Sequence, residues 1–177
     1  MNRIISISGA QGVGKTSIIT ALFAEGGTVV TPSASNIAAQ MQFDTAVEKQ
    51  EFIVSSMESQ LNQALAVDDT VYLDRSALDC YSYMKLDHSL PEEVKAEFEK
   101  RLRKMASYSD YVFIPKPGEF AIPANGIRST DADYQQKWHE ALIAFAKECN
   151  VPYKELTGSV VDRVKIIKTT LTKELKK

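Results

Sequence analysis

Cysteine is scarce: the 177 residues contain two, Cys80 and Cys149. Two thiols cannot frame a disulfide scaffold, so an apolar core must hold the fold, and nothing calls for an oxidising compartment. Long apolar runs are missing as well. No stretch approaches the ~18–20 residues that a membrane span needs. The opening MNRIISISGA lacks the apolar core of a secretory leader, so a cytoplasmic location with no membrane partner is expected. Nor is there an excess of one charge sign. Lys and Arg total 21 against 23 for Asp and Glu, a formal charge of -2. That argues against a nucleic-acid coat or a polybasic membrane binder and leaves room for a local basic site. The two histidines, His88 and His139, lack metal-ligand spacing and receive no role.

What is present is an ordinary globular composition, 44% hydrophobic and 25% charged. The length sets an expectation of one domain over residues 1–177. Short apolar runs alternate with amphipathic stretches. Strands are expected over Arg3–Ser8, Thr28–Thr31, Thr70–Asp74, Asp110–Ile114 and Val151–Leu156. Helices are expected over Thr16–Ala24, from Pro32 to about Met41, and over Thr45–Ala66, Ser76–Lys85, Pro91–Ala106, Asp131–Cys149 and Ser159–Leu175. The first of these would turn Ile18, Ile19, Leu22 and Phe23 inward. The charges from Glu92 to Lys104 read as a solvated helix face. Strand–helix alternation implies an α/β fold, a three-layer α/β/α arrangement around a five-stranded parallel sheet. Residues 115–130 carry Pro115, Pro117, Gly118, Pro123 and Gly126. Such a long irregular connection reads as a functional loop, here a short lid.

Gly9-Ala10-Gln11-Gly12-Val13-Gly14-Lys15-Thr16 matches G-x-x-x-x-G-K-[ST] and lies between an expected strand and an expected helix. Glycines let backbone N–H groups form a nest around phosphate oxygens, and the helix aims its positive end at the same anion. Gly9, Gln11, Gly12, Val13, Gly14, Lys15, Thr16 and Ser17 are therefore candidate ATP-binding residues. Lys15 would reach the β- and γ-phosphates, and the Thr16 hydroxyl would hold Mg²⁺. No D-x-x-G or [NT]-K-x-D occurs, which speaks against a guanine-specific switch. The third strand ends VYLD-Arg75. Hydrolytic ATPases commonly place Glu after that Asp. An arginine cannot polarise water as a base but can hold a phosphate, which favours transfer to an acceptor.

Together the phosphate loop, VYLDRS, GIRSTDADY and LTGSVVDR resemble the P-loop nucleoside and nucleotide kinase superfamily. The resemblance is nearest to ATPase/kinase domains similar to nicotinamide-riboside kinase, many of them carried by bacteriophages. Thymidylate and deoxynucleoside kinases are more distant. It spans essentially the whole chain. It implies that Asp74 organises Mg²⁺ or accepts the acceptor's proton, and that Arg75 holds a phosphate. It implies that Arg128 is a lid arginine before a helix capped by Thr130 and Asp133, and that Gly158 and Ser159 pack beside the adenine. Phe120 fits either a core position or a stack on an acceptor base. Asp79 reads as a helix-capping carboxylate. Tyr81, Tyr83 and Cys149 read as core. The second-strand region VVTPSASN lacks the Glu that related kinases often carry, which leaves Asp74 as the best-placed acid or base.

Three functions follow from this reading. The first is an ATP- and Mg²⁺-dependent kinase whose acceptor is a nucleoside or a (deoxy)nucleoside monophosphate. The second is a kinase of a hydroxymethylated base, such as hydroxymethyluracil, in phage DNA. The third is a regulatory P-loop NTPase module without a small-molecule acceptor. A homodimer is compatible with each.

Overall fold

Along β1 (Arg3–Ile7) successive side chains enter different cores. Ile4 joins a cluster on one face of the sheet, and Ile5 and Ile7 join a cluster on the other. The same alternation runs through β3 (Thr70–Asp74) and β4 (Tyr111–Pro115). Val71, Leu73, Val112 and Ile114 lie on the first face, and Phe113 lies on the second. Strands buried on both faces need cover on both, which is why they read as continuous apolar runs. The structure, a computed structural model, describes residues 2–30, 41–119 and 132–174.

The sheet has five strands in the order β2-β3-β1-β4-β5, with β2 at Thr28–Val30 and β5 at Tyr153–Leu156. Every pairing is parallel, with Ile7 opposite Asp74 and Ile7 opposite Phe113. Helices α1 (Lys15–Ala24) and α6 (Val160–Glu174) cover one face. Helices α2 (Ala46–Leu65), α3 (Ala77–Leu86), α4 (Glu92–Ala106) and α5 (Ala132–Glu148) cover the other. This is the three-layer α/β/α fold around a five-stranded parallel sheet that the pattern implies, with expected and observed spans agreeing to within a residue or two at most ends. Two helices start on capping boxes, Thr45 with Glu48 for α2 and Ser76 with Asp79 for α3, each satisfying amides the helix cannot. The helix expected from Pro32, the lid beyond residue 119 and the tail from residue 175 lie outside the described residues.

Two expectations change. Phe23 is 67% exposed and not part of the inward stripe, because α1 meets the sheet through Ile18, Ile19 and Leu22, with Ala21 partly buried beside them. The charges of α4 are not simply solvated. Arg101 pairs with Glu51 at 2.7 Å and Glu58 at 2.8 Å on α2, and its hydrogen bonds hold the Glu51 carboxyl below its usual range. Arg103 joins Glu99 and Glu148 at 2.6 Å each, with its guanidinium 5.1 Å from the Phe145 ring centre. These pairs clip α4 to α2 and α5. Among the described residues, no helix is long and apolar enough to cross a membrane.

Phe145 is fully buried and stacks on Tyr81 with ring centres 3.7 Å apart. Phe145→Ala should cost about 3–5 kcal/mol of stability, measured as a lower denaturant midpoint with an unchanged slope.

Candidate nucleotide-binding site

Because all strands run the same way, their carboxyl ends share one edge. There β1 lies between β3 and β4, at the point where chain connections diverge to opposite sides, and ligands of open α/β sheets bind at such points. Gly12 and Gly14 take φ of +79° and +88°, values a side chain would oppose. Gly14 caps α1 without any side-chain hydrogen bond, and the first turn holds no acidic residue. The positive helix end is thus left to an anion. Thr16 and Ser17 stand exposed on that turn. Lys15 is buried, with Nζ donating to Gly9 O at 2.6 Å and Ala10 O at 2.7 Å. The loop thereby fixes its own cation.

Neighbouring elements grip the loop from three sides. From α3, Asp79 is 3% exposed and accepts from Gly9 N at 3.0 Å and from Ser76 N at 2.9 Å. Ser8 Oγ meets Ser76 Oγ at 2.7 Å. The capping role expected of Asp79 is therefore joined by a second, that of anchoring the entry of the phosphate loop. From α5, Gln135 Nε2 donates to Gln11 O at 2.5 Å. From α6, the fully buried Arg163 donates through Nη1 to Val13 O at 2.6 Å and through Nη2 to Glu119 Oε2 at 2.5 Å. The same carboxylate oxygen accepts from Gly158 N at 3.0 Å. Gln135, Arg163 and Glu119 escaped the sequence reading. Gln135 and Arg163 left one signal: each is a polar residue at an inward position of an amphipathic helix.

Asp74 ends β3 opposite Ile7. Its Oδ1 is buried and has no hydrogen-bond partner among the described residues. Burial raises its pKa above 3.8, opposed by the charges of Arg75 and Lys15, and Asp79 adds to the rise. Arg75 continues the ladder through N–H to Ile7 O at 3.0 Å, yet holds φ at +85°. A non-glycine residue there costs about 1–3 kcal/mol, a strain that concentrates at functional sites. An uncommitted carboxylate oxygen and the Thr16 hydroxyl are hard donors that fit a divalent cation such as Mg²⁺. Among the described residues, no group of three or more His, Cys, Asp or Glu is placed to hold a metal, so phosphate oxygens and water would complete the shell.

Gly158 and Ser159 form the β5–α6 turn. Gly158 has φ +86°, and Ser159 exchanges hydrogen bonds with Asp162 at the start of α6. Arg128, Phe120 and Thr130 lie outside the described residues. Tyr81 packs in the core as expected, and Tyr83 meets Trp138 at 6.4 Å between ring centres. His139 is buried, with Nε2 at 2.9 Å from Glu155 Oε1. Cys149 is half-buried beside Arg103.

A profile of the AAA domain family matches residues 4–163. The chain belongs to that family. No curated protein sequence matches it. Solved structures show which P-loop fold this AAA domain shares. A deoxyadenosine kinase from M. mycoides with products dCMP and dCDP superposes with TM-score 0.73 at 15% identity, over 96% of this chain and 99% of that one. NadR in complex with NR gives 0.72 at 18% identity, over 89% of this chain and 46% of NadR. Thymidylate kinase from Ehrlichia chaffeensis gives 0.65 at 13% identity, over 98% of each. The fold is that of the nucleoside and nucleotide kinases.

Asp79→Ala should leave two buried amides without acceptors and cost about 2–4 kcal/mol, read as a lower denaturant midpoint. For Asp74 the folded-state pKa lies above the unfolded one. Its share of stability is whole below the unfolded value and is lost as pH rises through the folded value. Asp74→Asn should therefore raise the thermal midpoint at pH 7. The gain should shrink as pH falls toward the ordinary carboxylate range, and thermal melts across that range check it.

Proposed function

We propose that the chain is an ATP- and Mg²⁺-dependent kinase of a nucleoside or a nucleoside monophosphate. The observation that carries this reading is the end of β3, where a carboxylate with an uncommitted oxygen is followed by a strained arginine beside the phosphate loop. A second carboxylate there would serve to activate water. A guanidinium instead holds a phosphate, which favours transfer over hydrolysis. The structural neighbours support a nucleoside or nucleotide acceptor, since they include a deoxyadenosine kinase, a thymidylate kinase and a protein in complex with NR.

In this reading the loop amides and Lys15 bind the β- and γ-phosphates. Thr16 directly and Asp74 through water would hold Mg²⁺, which would supply neutralisation of phosphate charge. The Gly158–Ser159 turn receives the adenine. Arg75 orients the transferring or the acceptor phosphate, and Arg128 closes from the lid segment to meet charge developing in the transition state. An acceptor hydroxyl oxygen bonds to the γ-phosphorus as the bond to the bridging oxygen breaks, and the hydroxyl proton passes to the Asp74 carboxylate. Most of the rate comes from positioning.

An ADP-release screen over nucleosides, nucleotides, ribosylated vitamins and duplex DNA tests the reading. One small-molecule acceptor class should drive ADP formation. Lys15→Ala should lower it on the order of 100-fold or more, and Arg128→Ala should lower kcat more than ATP affinity. ADP release indifferent to every acceptor would instead identify a regulatory NTPase. Phosphate label entering duplex DNA would identify the base-modifying kinase.

A further inference from the structure

Two side chains outside the phosphate-loop motif hold its carbonyls. Arg163 Nη1 takes Val13 O at 2.6 Å, and Gln135 Nε2 takes Gln11 O at 2.5 Å. In a trans peptide the carbonyl of one residue and the N–H of the next share a plane and point opposite ways. The described residues contain no cis peptide bond. Drawing the Val13 carbonyl toward α6 therefore turns the Gly14 N–H away from α6. Drawing the Gln11 carbonyl toward α5 likewise turns the Gly12 N–H away from α5. We propose that Arg163 and Gln135 are positioning residues of the nucleotide site, aiming the Gly14 and Gly12 amides at the phosphate oxygens of a bound nucleoside di- or triphosphate. This rests on reading the loop as a nucleotide site, not on kinase activity.

Charge and shape suit Arg163 to the task. It is fully buried, and its second arm is held by Glu119, which also fixes the Gly158 amide of the β5–α6 turn. This pair, its arginine buried and its carboxylate partly exposed, joins the loop, the chain beyond β4 and that turn. The guanidinium fork donates in two set directions at once, which the single ammonium of lysine does not reproduce. A cation on the Val13 carbonyl also polarises that peptide, which makes the Gly14 N–H a stronger donor to an anion. Glu119 leaves the arginine compensated, as a buried charge requires.

The test measures binding of Mg·ADP and of inorganic tripolyphosphate by calorimetry beside thermal melting, in the full chain. Arg163→Lys keeps the charge and loses the fork. Gln135→Met keeps the volume and loses the donor. Each should weaken both ligands by about tenfold, and the double variant more than either. Glu119→Gln should act in the same direction. Arg101→Lys, which disturbs the α2–α4 ion pairs, should lower the melting temperature yet leave both affinities within about twofold. If Arg163→Lys and Gln135→Met lower the melting temperature but bind both ligands within about twofold of the parent, the two residues only hold helices to the core and the proposal falls. Should Arg163→Lys fail to fold, Gln135→Met decides alone. If the parent binds neither ligand, this proposal and the functional reading fall together. If it binds both without acceptor-dependent ADP release, only the kinase reading falls.

Discussion

A peptide carbonyl and the amide behind it cannot be aimed independently, and the sheet edge is organised around that constraint. Between residues 9 and 13 the carbonyls of Gly9, Ala10, Gln11 and Val13 are all engaged, two by Lys15, one by Gln135 and one by Arg163. A glycine-rich loop left alone would sample many shapes, since glycine loses the most conformational freedom on folding. Here α3, α5 and α6 each contribute a side chain that removes such freedom. The loop therefore depends on helices from both layers, and the two layers are tied to each other through it.

The parallel sheet is what makes this possible. Five strands running one way bring the end of β1, the Asp74–Arg75 step and the β5–α6 turn to one edge, although they lie far apart in the chain. The near-neutral total charge conceals the result, because Lys15 and Arg75 gather beside a carboxylate whose pKa is raised by its own burial. Away from this edge, charge serves packing. The Arg101 and Arg103 networks stitch α4 to its neighbours, and such partly exposed pairs contribute modestly, roughly 0–1 kcal/mol each.

Most of the fold was legible because period and punctuation agreed. Buried strands such as Arg3–Ile7 and Thr70–Asp74 are short apolar runs between turn signals, and helices such as Glu92–Ala106 carry their apolar stripe at helical spacing. Phe23 misled because amphipathic spacing states which side of a helix is apolar, not how far the sheet beneath it extends. The Glu92–Lys104 run misled because charge pattern does not reveal that two neighbouring helices bring opposite charges within reach.

In the site, the motif pointed to the phosphate loop, since glycine, lysine and hydroxyl at fixed spacing are the local chemistry of anion binding, and the family resemblance pointed to Asp74 and Arg75. Local sequence also set the capping pair Ser76 and Asp79, whose spacing is a helix-start signal. It could not set what holds the loop. Asp79 reaches Gly9 across 70 positions, Gln135 reaches Gln11 across 124, and Arg163 reaches Val13 across 150. Contacts of that separation exist only once the strands have registered and the helices have docked. Spacing along the chain determines which groups carry the chemistry, and the packed layers decide which way those groups point.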